Sequence, residues 1–248
     1  MVSIRKHQFL ELENFLRTYP RMDLRPIRGD HLQVEGMFEF SAESKNHGWV
    51  TDRFELQIVV PAKFPKGIPI VYEIGARIPR QGRYHINPHD YSLCLGSRLR
   101  LLTALARVPT LMGFALNCLV PYLYAVSLKL VHGGEFAFGE LPHGYQGELV
   151  DYAALLRLRT TNQVMNAVCY LGMKKRRANK LLCPCECGQR LGVCALNRRI
   201  SELRQVAPRA WFRKLLSDLS RIEPASSPSS LFHSAVRIGL GVRKAAAD

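Results

Sequence analysis

The sequence predicts an α+β fold, in which an N-terminal helix is followed by an antiparallel meander and then by further helices. Segments in which apolar and polar residues alternate are grouped in the first third of the chain, and helical periodicity dominates the remainder. A third feature adds a small separate module, because four of the seven cysteines are crowded between Cys183 and Cys194. We therefore expect the 248 residues to form one larger domain followed by a small cysteine-rich module.

The first predicted element is an amphipathic helix. Ser3 is placed to cap its N-terminus, and Leu12 and Leu16 recur at the spacing that puts them on one face. Pro20 cannot continue a helix, so this element is predicted to end at about Thr18.

Three strands are predicted next, and their short connections favour antiparallel pairing. Residues 32–40 alternate between apolar and polar side chains, which predicts a half-buried strand, and residues 54–60 do the same. Pro61 and the proline-containing turn after it break the pattern before a third strand at 70–74.

The segment from Tyr84 to Gly96 has no clean period and is predicted to be an ordered loop. Residues 110–131 are apolar nearly throughout, which is long enough for a membrane span. Asn117 and Pro121 interrupt the stretch, so we favour a buried core helix that is kinked or restarted at Pro121. Two further helices are predicted, at residues 148–158 and 160–172.

Charge divides the chain into two parts. Residues 1–156 hold 17 Lys/Arg against 15 Asp/Glu, whereas residues 157–221 hold 15 against 3. This break predicts a folded domain over 1–156 and a basic helical segment with the cysteine module over 157–222. A linker and flexible tail are expected over 223–248.

So basic a segment suits nucleic acid, anionic lipid or an acidic protein, and a solvated face without a partner is the simplest alternative. No aromatic side chains alternate with the charges as they do in single-strand binders, so protein docking is favoured over nucleic acid. The N-terminal residues contain neither a continuous apolar stretch nor a small-residue cleavage site. We therefore expect a cytoplasmic protein without a membrane partner.

Several short motifs occur in an order that has a counterpart in a known family. Phe64-Pro65 and Pro69 precede the third predicted strand, His85-Ile86-Asn87 opens the following loop, and Cys94 comes seven positions after Asn87. This succession, between an N-terminal helix and later helices, resembles the ubiquitin-conjugating (UBC) fold over residues 1–156. The tripeptide from His85 to Asn87 matches the family's His-Pro-Asn, and Cys94 matches its nucleophile.

The resemblance implies a cysteine-dependent acyltransferase. Cys94 would carry a protein C-terminus as a thioester and pass it to a lysine amine. Asn87 would donate to the oxyanion of the tetrahedral intermediate. His85 would shape the loop, or act as a base.

Other polar residues near Cys94 have two possible roles each. Asp90 and His89 are close enough in sequence to orient or deprotonate an incoming amine, or Asp90 only caps a turn. Ser97, Arg98 and Arg100 are candidates for contacts with the tail of the acyl donor, or they form a solvated face.

Within the family, the segments HINPHDYSLCLGS and ELPHGYQGELVDY, the latter containing His143, and the cysteine-rich tail are most similar to bacterial members from anti-phage (CBASS) operons. Those members are encoded beside cyclic-nucleotide-synthesising enzymes. The resemblance implies that the donor is the C-terminus of a cGAS-like nucleotidyltransferase and that the acceptor is a target protein lysine. No glycine-rich strand–turn–helix for nucleotide binding is visible, so the activating step is not identified.

The cysteine cluster resembles the SEC-C zinc motif. Cys183, Cys185 and Cys194 match the first three ligands of that motif, and Ala195 stands where the fourth is expected. Cys187 is the available substitute, and four thiolates would form a closed structural Zn²⁺ site. Free thiols in a basic tail are the alternative. The lone Cys118 and Cys169 lie on apolar helical stretches and are expected to be small core residues.

Two other functions stay open at this point. One is a catalytically inactive UBC-fold binding module, and the other is a nucleic-acid-binding protein that acts through the basic half. The joint presence of Cys94 and Asn87 favours the enzyme, because an inactive variant has no use for the nucleophile.

Overall fold

The computed structural model describes residues 6–28, 31–137, 144–221 and 241–242, so Ser3 and His143 lie outside the described residues. These residues form an α+β structure, as the sequence predicts. The chain divides into two compact units. The first comprises Met1–Gly96, Ala104–Glu140 and Val236–Asp248, and the second comprises Ser97–Thr103 and Leu141–Ala235. The main division therefore falls near residue 140, ahead of the change in charge at residue 156.

The first unit is built on an antiparallel meander. Its elements are α1 (Lys6–Thr18), β1 (Met22–Arg28), β2 (His31–Ser44), β3 (Gly48–Val60), β4 (Ile70–Glu73), α3 (Leu111–Phe114), α4 (Val120–His132) and the short β5 (Gly241–Val242), with α2 (Arg98–Arg107) beginning in the second unit. The strand order is β1-β2-β3-β4, and β5 pairs with β2.

The prediction of three strands was wrong, because it missed β1, which precedes them, and the short β5. Pro26 lies within β1 and cannot donate to a ladder. The register of β1 against β2 shifts between Arg25 and Arg28, and β1 is an edge strand of the path. A bulge on an edge strand is where a sheet tolerates proline.

Aromatic side chains pack α1 against the sheet. Phe15 is fully buried on α1, Tyr19 follows the helix, and Phe38 is buried on β2. The Tyr19 ring lies 4.2 Å from that of Phe38 and 4.9 Å from that of Phe15, centre to centre. Such offset and tilted ring pairs add to the free energy gained from burial.

The long apolar stretch is the core helix of the first unit. A π-helical turn, Ala115–Leu119, separates α3 from α4 just before Pro121. A wider turn accommodates a proline, which has no N–H to donate. By length and composition alone Leu111–His132 can cross a membrane, but 72% of its most apolar window is buried in the protein. That burial supports the predicted core helix and not a span.

Asp52 on β3 connects three segments of the first unit. Its carboxylate accepts hydrogen bonds from Oγ of Ser127 on α4, at 2.6 Å, and from the guanidinium of Arg77, at 2.5 and 3.0 Å. The backbone N–H of Arg77 donates in turn to the carboxylate of buried Glu73, at 3.1 Å. These contacts hold the chain that leads from β4 toward Cys94.

The second unit is helical. Its elements are α5 (Gly144–Leu156), α6 (Thr161–Gly172), α7 (Lys175–Ala178), α8 (Leu196–Val206) and α9 (Arg209–Ser220), which include the two helices predicted from periodicity. Apolar residues of α6 and α9 form its core, among them Val168 and Phe212. The guanidinium of Arg204 donates to the carbonyls of Tyr170 and Met173, at 2.6 and 2.7 Å, and so caps the end of α6.

We predict that Asp52→Asn lowers the free energy of unfolding by about 1 kcal/mol at pH 7. Burial by itself raises the pKa of Asp52, but the hydrogen bonds from Arg77 and Ser127 outweigh it and hold that pKa below its ordinary value. A carboxyl with a depressed folded-state pKa stabilises the fold above its unfolded pKa of about 3.9, and this stabilisation is lost as the pH falls through the folded-state pKa.

Denaturant unfolding at pH 7 and at strongly acidic pH measures the effect. The difference between wild type and Asp52→Asn should shrink at acidic pH. The exposed Asp23 on β1 provides the control variant, Asp23→Asn. A difference that stays constant with pH contradicts the role given to Asp52.

Candidate functional site

Backbone pairing closes the loop that carries Cys94 into a short hairpin, the Cys94 hairpin (residues 85–94). The N–H of Cys94 donates to the carbonyl of His85 at 2.7 Å, and the N–H of Asn87 donates to the carbonyl of Ser92 at 2.9 Å. The N–H of Leu93 donates to the carbonyl of Val71 on β4, at 2.8 Å. The Cys94 side chain is therefore half-buried on an ordered extension of the sheet.

Ser92 brings Asn87 and Asp90 together. Nδ2 of Asn87 donates to Oγ of Ser92 at 2.9 Å, and this hydroxyl donates to Oδ1 of Asp90 at 2.8 Å. The backbone N–H of Ser92 donates to the same carboxylate oxygen at 3.0 Å. Asp90 thus has the contacts of the turn-capping alternative. The buried Ser92 had no signal in the sequence, because one serine in a loop is unremarkable.

One of the two N–H donors of the Asn87 amide is not used by Ser92. A carboxamide carries two N–H donors, and Ser92 takes one of them. The second N–H has no acceptor among the described residues. The side chain is half-buried, and its hydrogen bond to Ser92 sets the direction of the amide.

His85 has the contacts of a loop-shaping residue. Its backbone is left-handed, with φ 52° and ψ 47°, and its carbonyl receives the Cys94 N–H. Its ring meets the Phe136 ring edge-on at 4.7 Å, with an angle of 89° between the planes. His89 is exposed.

Two of the polar residues after Cys94 bind one buried carboxylate of the second unit. Asp151 on α5 is 1% exposed, and it accepts hydrogen bonds from Oγ of Ser97 and from the guanidinium of Arg100. Nε of Arg100 lies 2.8 Å from Oδ1 and 3.0 Å from Oδ2 of Asp151. Their polar groups are therefore engaged within the protein.

Arg98 is held in the same unit by two further carboxylates. Its guanidinium donates to both carboxylate oxygens of Glu148 on α5, at 3.0 and 3.1 Å. It also lies 3.4 Å from a carboxylate oxygen of Asp218 on α9. This bidentate pair engages the Arg98 guanidinium within the second unit, while 40% of the side chain stays exposed to solvent.

Four cysteines converge in the second unit, and we call them the cysteine cluster. The Sγ atoms of Cys183, Cys185, Cys187 and Cys194 all lie within 4.8 Å of one another. Neighbouring sulfurs are 3.2, 3.6 and 3.7 Å apart. Tetrahedral thiolates with metal–sulfur bonds of about 2.3 Å lie about 3.8 Å apart. The cluster therefore has the size needed to hold one metal ion, with Cys187 as the fourth ligand.

A small hairpin makes the cysteines converge. The N–H of Cys183 donates to the carbonyl of Gln189 at 2.8 Å, and the N–H of Leu191 donates to that of Leu181 at 2.9 Å. Gly188, at φ 75°, supplies the left-handed turn between the arms.

The thiols of the cluster differ in their surroundings. Burial raises the pKa of Cys183, so this thiol is protonated at neutral pH unless a cation displaces its proton. Cys187 is exposed, and the backbone N–H of Gln189 lowers the pKa of its thiol. Metal binding at the cluster would therefore release protons and weaken as the pH falls.

The surface around the cluster is strongly basic. From Lys174 to Arg199 the chain has eight basic residues and one acidic residue, and no aromatic residue. Six exposed cations have no carboxylate partner within the described ranges: Lys174, Lys175, Arg176, Arg177, Lys180 and Arg190. Two aliphatic side chains of the same segment, Leu182 and Val193, are 69% and 76% exposed.

Comparison of the chain with known protein families, with curated proteins and with solved structures finds no match. The resemblance to ubiquitin-conjugating enzymes and to the SEC-C motif therefore rests on the sequence motifs of this chain alone.

We predict that the purified chain binds about one metal ion and loses it when Cys183 and Cys185 are both replaced by serine. Metal content is measured by elemental analysis after dialysis. Cys169→Ser, outside the cluster, is the matched control and should keep the metal. Metal that survives the double substitution would show that the ligands lie elsewhere.

Proposed function

We propose that the chain is a ubiquitin-conjugating-like acyltransferase, which carries a protein C-terminus as a thioester on Cys94 and passes it to a lysine amine. The observation that carries the proposal is the Cys94 hairpin. It holds a half-buried thiol and the Asn87 amide in one hydrogen-bonded unit at the edge of an antiparallel meander. The order of helix, meander, cysteine loop and helices supports a UBC-like fold.

The reaction has two steps. The Cys94 thiolate attacks the carbonyl carbon of an activated C-terminal carboxyl, a C–S bond forms, and the activating group leaves with its electron pair. A neutral lysine amine then attacks the same carbon and gives a tetrahedral oxyanion. Its collapse breaks the C–S bond, releases the thiolate and forms an amide, while the nitrogen loses its proton to water. The second N–H of Asn87 is the donor that can meet the oxyanion.

The alternative of an inactive binding module has less support. It explains the meander and the exposed basic segment, but it gives the half-buried thiol and the second N–H donor of Asn87 no purpose. The motifs around Cys94 support a cGAS-like nucleotidyltransferase as the acyl donor, a target protein lysine as the acceptor and a role in anti-phage defence. Free thiols and a thiolate metal site both need reducing conditions, which supports a cytoplasmic location.

We infer that the cysteine cluster holds Zn²⁺. Four thiolates at tetrahedral spacing are the usual donor set of a structural zinc ion, although iron shares this preference. Because all four positions are taken by protein, the metal folds the module and does not take part in acyl transfer. A colourless protein with one zinc per chain supports this, and a visible iron–thiolate absorption contradicts it.

The basic segment fits an acidic protein better than nucleic acid. Four thiolates with one Zn²⁺ carry a net charge of −2, so residues 174–199 stay positive with eight basic residues and one acidic residue. The exposed side chains that accompany the cations, Leu182 and Val193, are aliphatic, and they suit a protein contact but cannot stack on bases.

We predict that Cys94→Ala abolishes any thioester or conjugate and leaves the fold intact. The test incubates the chain with the proposed nucleotidyltransferase and its activating protein, and looks for a thiol-sensitive adduct. Cys169→Ala, which removes another half-buried thiol, is the control and should remain active. Cys94→Ser or Cys94→Lys should trap an ester or amide. Full activity in Cys94→Ala would end the proposal.

For Asn87→Ala we expect transfer to the amine to slow by about 10²-fold, while the thioester on Cys94 still forms. Ser92→Ala, which removes the anchor of the amide but keeps the amide, should slow transfer less. Single-turnover discharge of the loaded chain measures both rates. Equal losses in the two variants, accompanied by a lower melting temperature, would assign Asn87 to loop structure instead.

Charge reversal of Lys174, Lys175, Arg176 and Arg177 should weaken conjugation without a change in Cys94 reactivity, because a docking surface acts only when the partner is present. Filter binding to DNA and RNA at two salt concentrations provides the opposing test. Tight binding that falls steeply with salt and disappears in the variant would favour nucleic acid as the partner.

A further inference from the structure

The core helix α4 contributes a buried tyrosine beneath the Cys94 hairpin, and no motif marks it. Tyr122 is 7% exposed, and its hydroxyl donates to the carbonyl of Tyr84 at 2.8 Å. Tyr84 ends the 3₁₀ turn Gly82–Tyr84, and the next residue, His85, provides the carbonyl that receives the Cys94 N–H. Two hydrogen bonds, made to the carbonyls of the consecutive residues Tyr84 and His85, therefore connect the helix to Cys94.

Two more side chains pack against the same turn. The ammonium of Lys129, also on α4, lies 5.7 Å from the centre of the Tyr84 ring and 4.7 Å from the centre of the Phe136 ring. The Phe136 ring in turn meets the imidazole of His85 edge-on. A left-handed backbone at a residue other than glycine persists only where surrounding contacts hold it, and these are such contacts.

Tyr122 also lies within electrostatic reach of the thiol. Burial raises the pKa of the Tyr122 hydroxyl far above its usual range, and the nearby Cys94 and Glu73 raise it further. The phenol is therefore protonated throughout the range in which thiols ionise, and it keeps its hydrogen for Tyr84.

We infer that Tyr122 is a positioning residue for Cys94: its hydrogen bond to Tyr84 holds the left-handed turn at His85 and, through it, the place of the thiol. As a statement about transfer, this inference rests on the proposed function. The geometry itself exists without an acyl donor, so it can be tested separately.

The same helix supplies a matched control. Tyr124 is also buried, and its hydroxyl donates to the carbonyl of Gly48 at 2.7 Å. Tyr122→Phe and Tyr124→Phe each remove the hydroxyl of a buried tyrosine of α4. The Tyr124 hydroxyl also interacts with Ser44, so Tyr124→Phe should lower the melting temperature at least as much as Tyr122→Phe. If Tyr122 only stabilises the fold, the alkylation rate of Cys94 should be the same in the two variants.

Alkylation of Cys94 by iodoacetamide, followed by peptide mass spectrometry, separates the two roles. The rate should rise at least about fivefold in Tyr122→Phe, because the loosened turn exposes the half-buried thiol more often. It should stay within about twofold of wild type in Tyr124→Phe. Hydrogen exchange of the Cys94 amide should accelerate in Tyr122→Phe alone. Equal alkylation rates in the two variants, or an unchanged rate in Tyr122→Phe, overturn the inference.

Two further measurements complete the test. If Tyr122→Phe does not fold, Phe136→Leu takes its place, because it removes the ring that packs against His85. Its alkylation and hydrogen-exchange rates are then compared with those of Tyr124→Phe. With a loaded chain, discharge to lysine should slow about tenfold in Tyr122→Phe while the KM for lysine is unchanged. If no thioester forms on the wild-type chain but alkylation responds as expected, the proposed function fails and the positioning role stands.

Discussion

The hydrogen bond from the Cys94 N–H to the His85 carbonyl is the contact on which the proposed chemistry depends. Acyl exchange needs a sulfur at a defined position beside its oxyanion donor, and backbone pairing is the stiffest support that a loop offers. This bond closes the Cys94 hairpin, and the pairing of Leu93 with Val71 attaches the hairpin to β4. The Cys94 thiol is therefore attached to the sheet through backbone pairing, which restricts its movement relative to the meander.

Side-chain periodicity predicted β2, β3 and α6, in which one face is buried and the other is not, whereas α4 was predicted from a nearly continuous apolar stretch. It did not find β1, because Pro26 counts against a strand unless the strand is already known to be an edge. The Cys94 hairpin was predicted only as a loop, since backbone hydrogen bonds leave no pattern in the side chains. The carboxylates that pair with Arg98 and Arg100 could not be predicted, because they lie on α5, which is distant in sequence and becomes a neighbour only in the folded unit.

The excess positive charge of the second unit reaches the surface because most of its few carboxylates bind other side chains of the unit, and Glu202 pairs only with Arg198. Asp151 binds Arg100, Glu148 and Asp218 hold Arg98, and Glu186 accepts a hydrogen bond from Gln163. The cations from Lys174 to Arg177 are left without acidic neighbours among the described residues, and screening by solvent is all that balances them. A surface of this kind favours association with a negatively charged partner and makes that association sensitive to salt.

The proposed reaction requires that one thiol reacts and the others do not, and the thiols of the described residues lie in different environments. Burial raises the pKa of Cys118 to about 12, so its thiolate is negligible at neutral pH. The four thiols of the cysteine cluster become unreactive once a metal holds them as ligands. Cys94 and Cys169 remain, both half-buried, but Cys169 lies within α6, whose backbone donors are committed to the helix. Of these two, Cys94 has a side-chain amide, that of Asn87, in the same hairpin, and this difference favours Cys94 as the nucleophile of the proposed reaction.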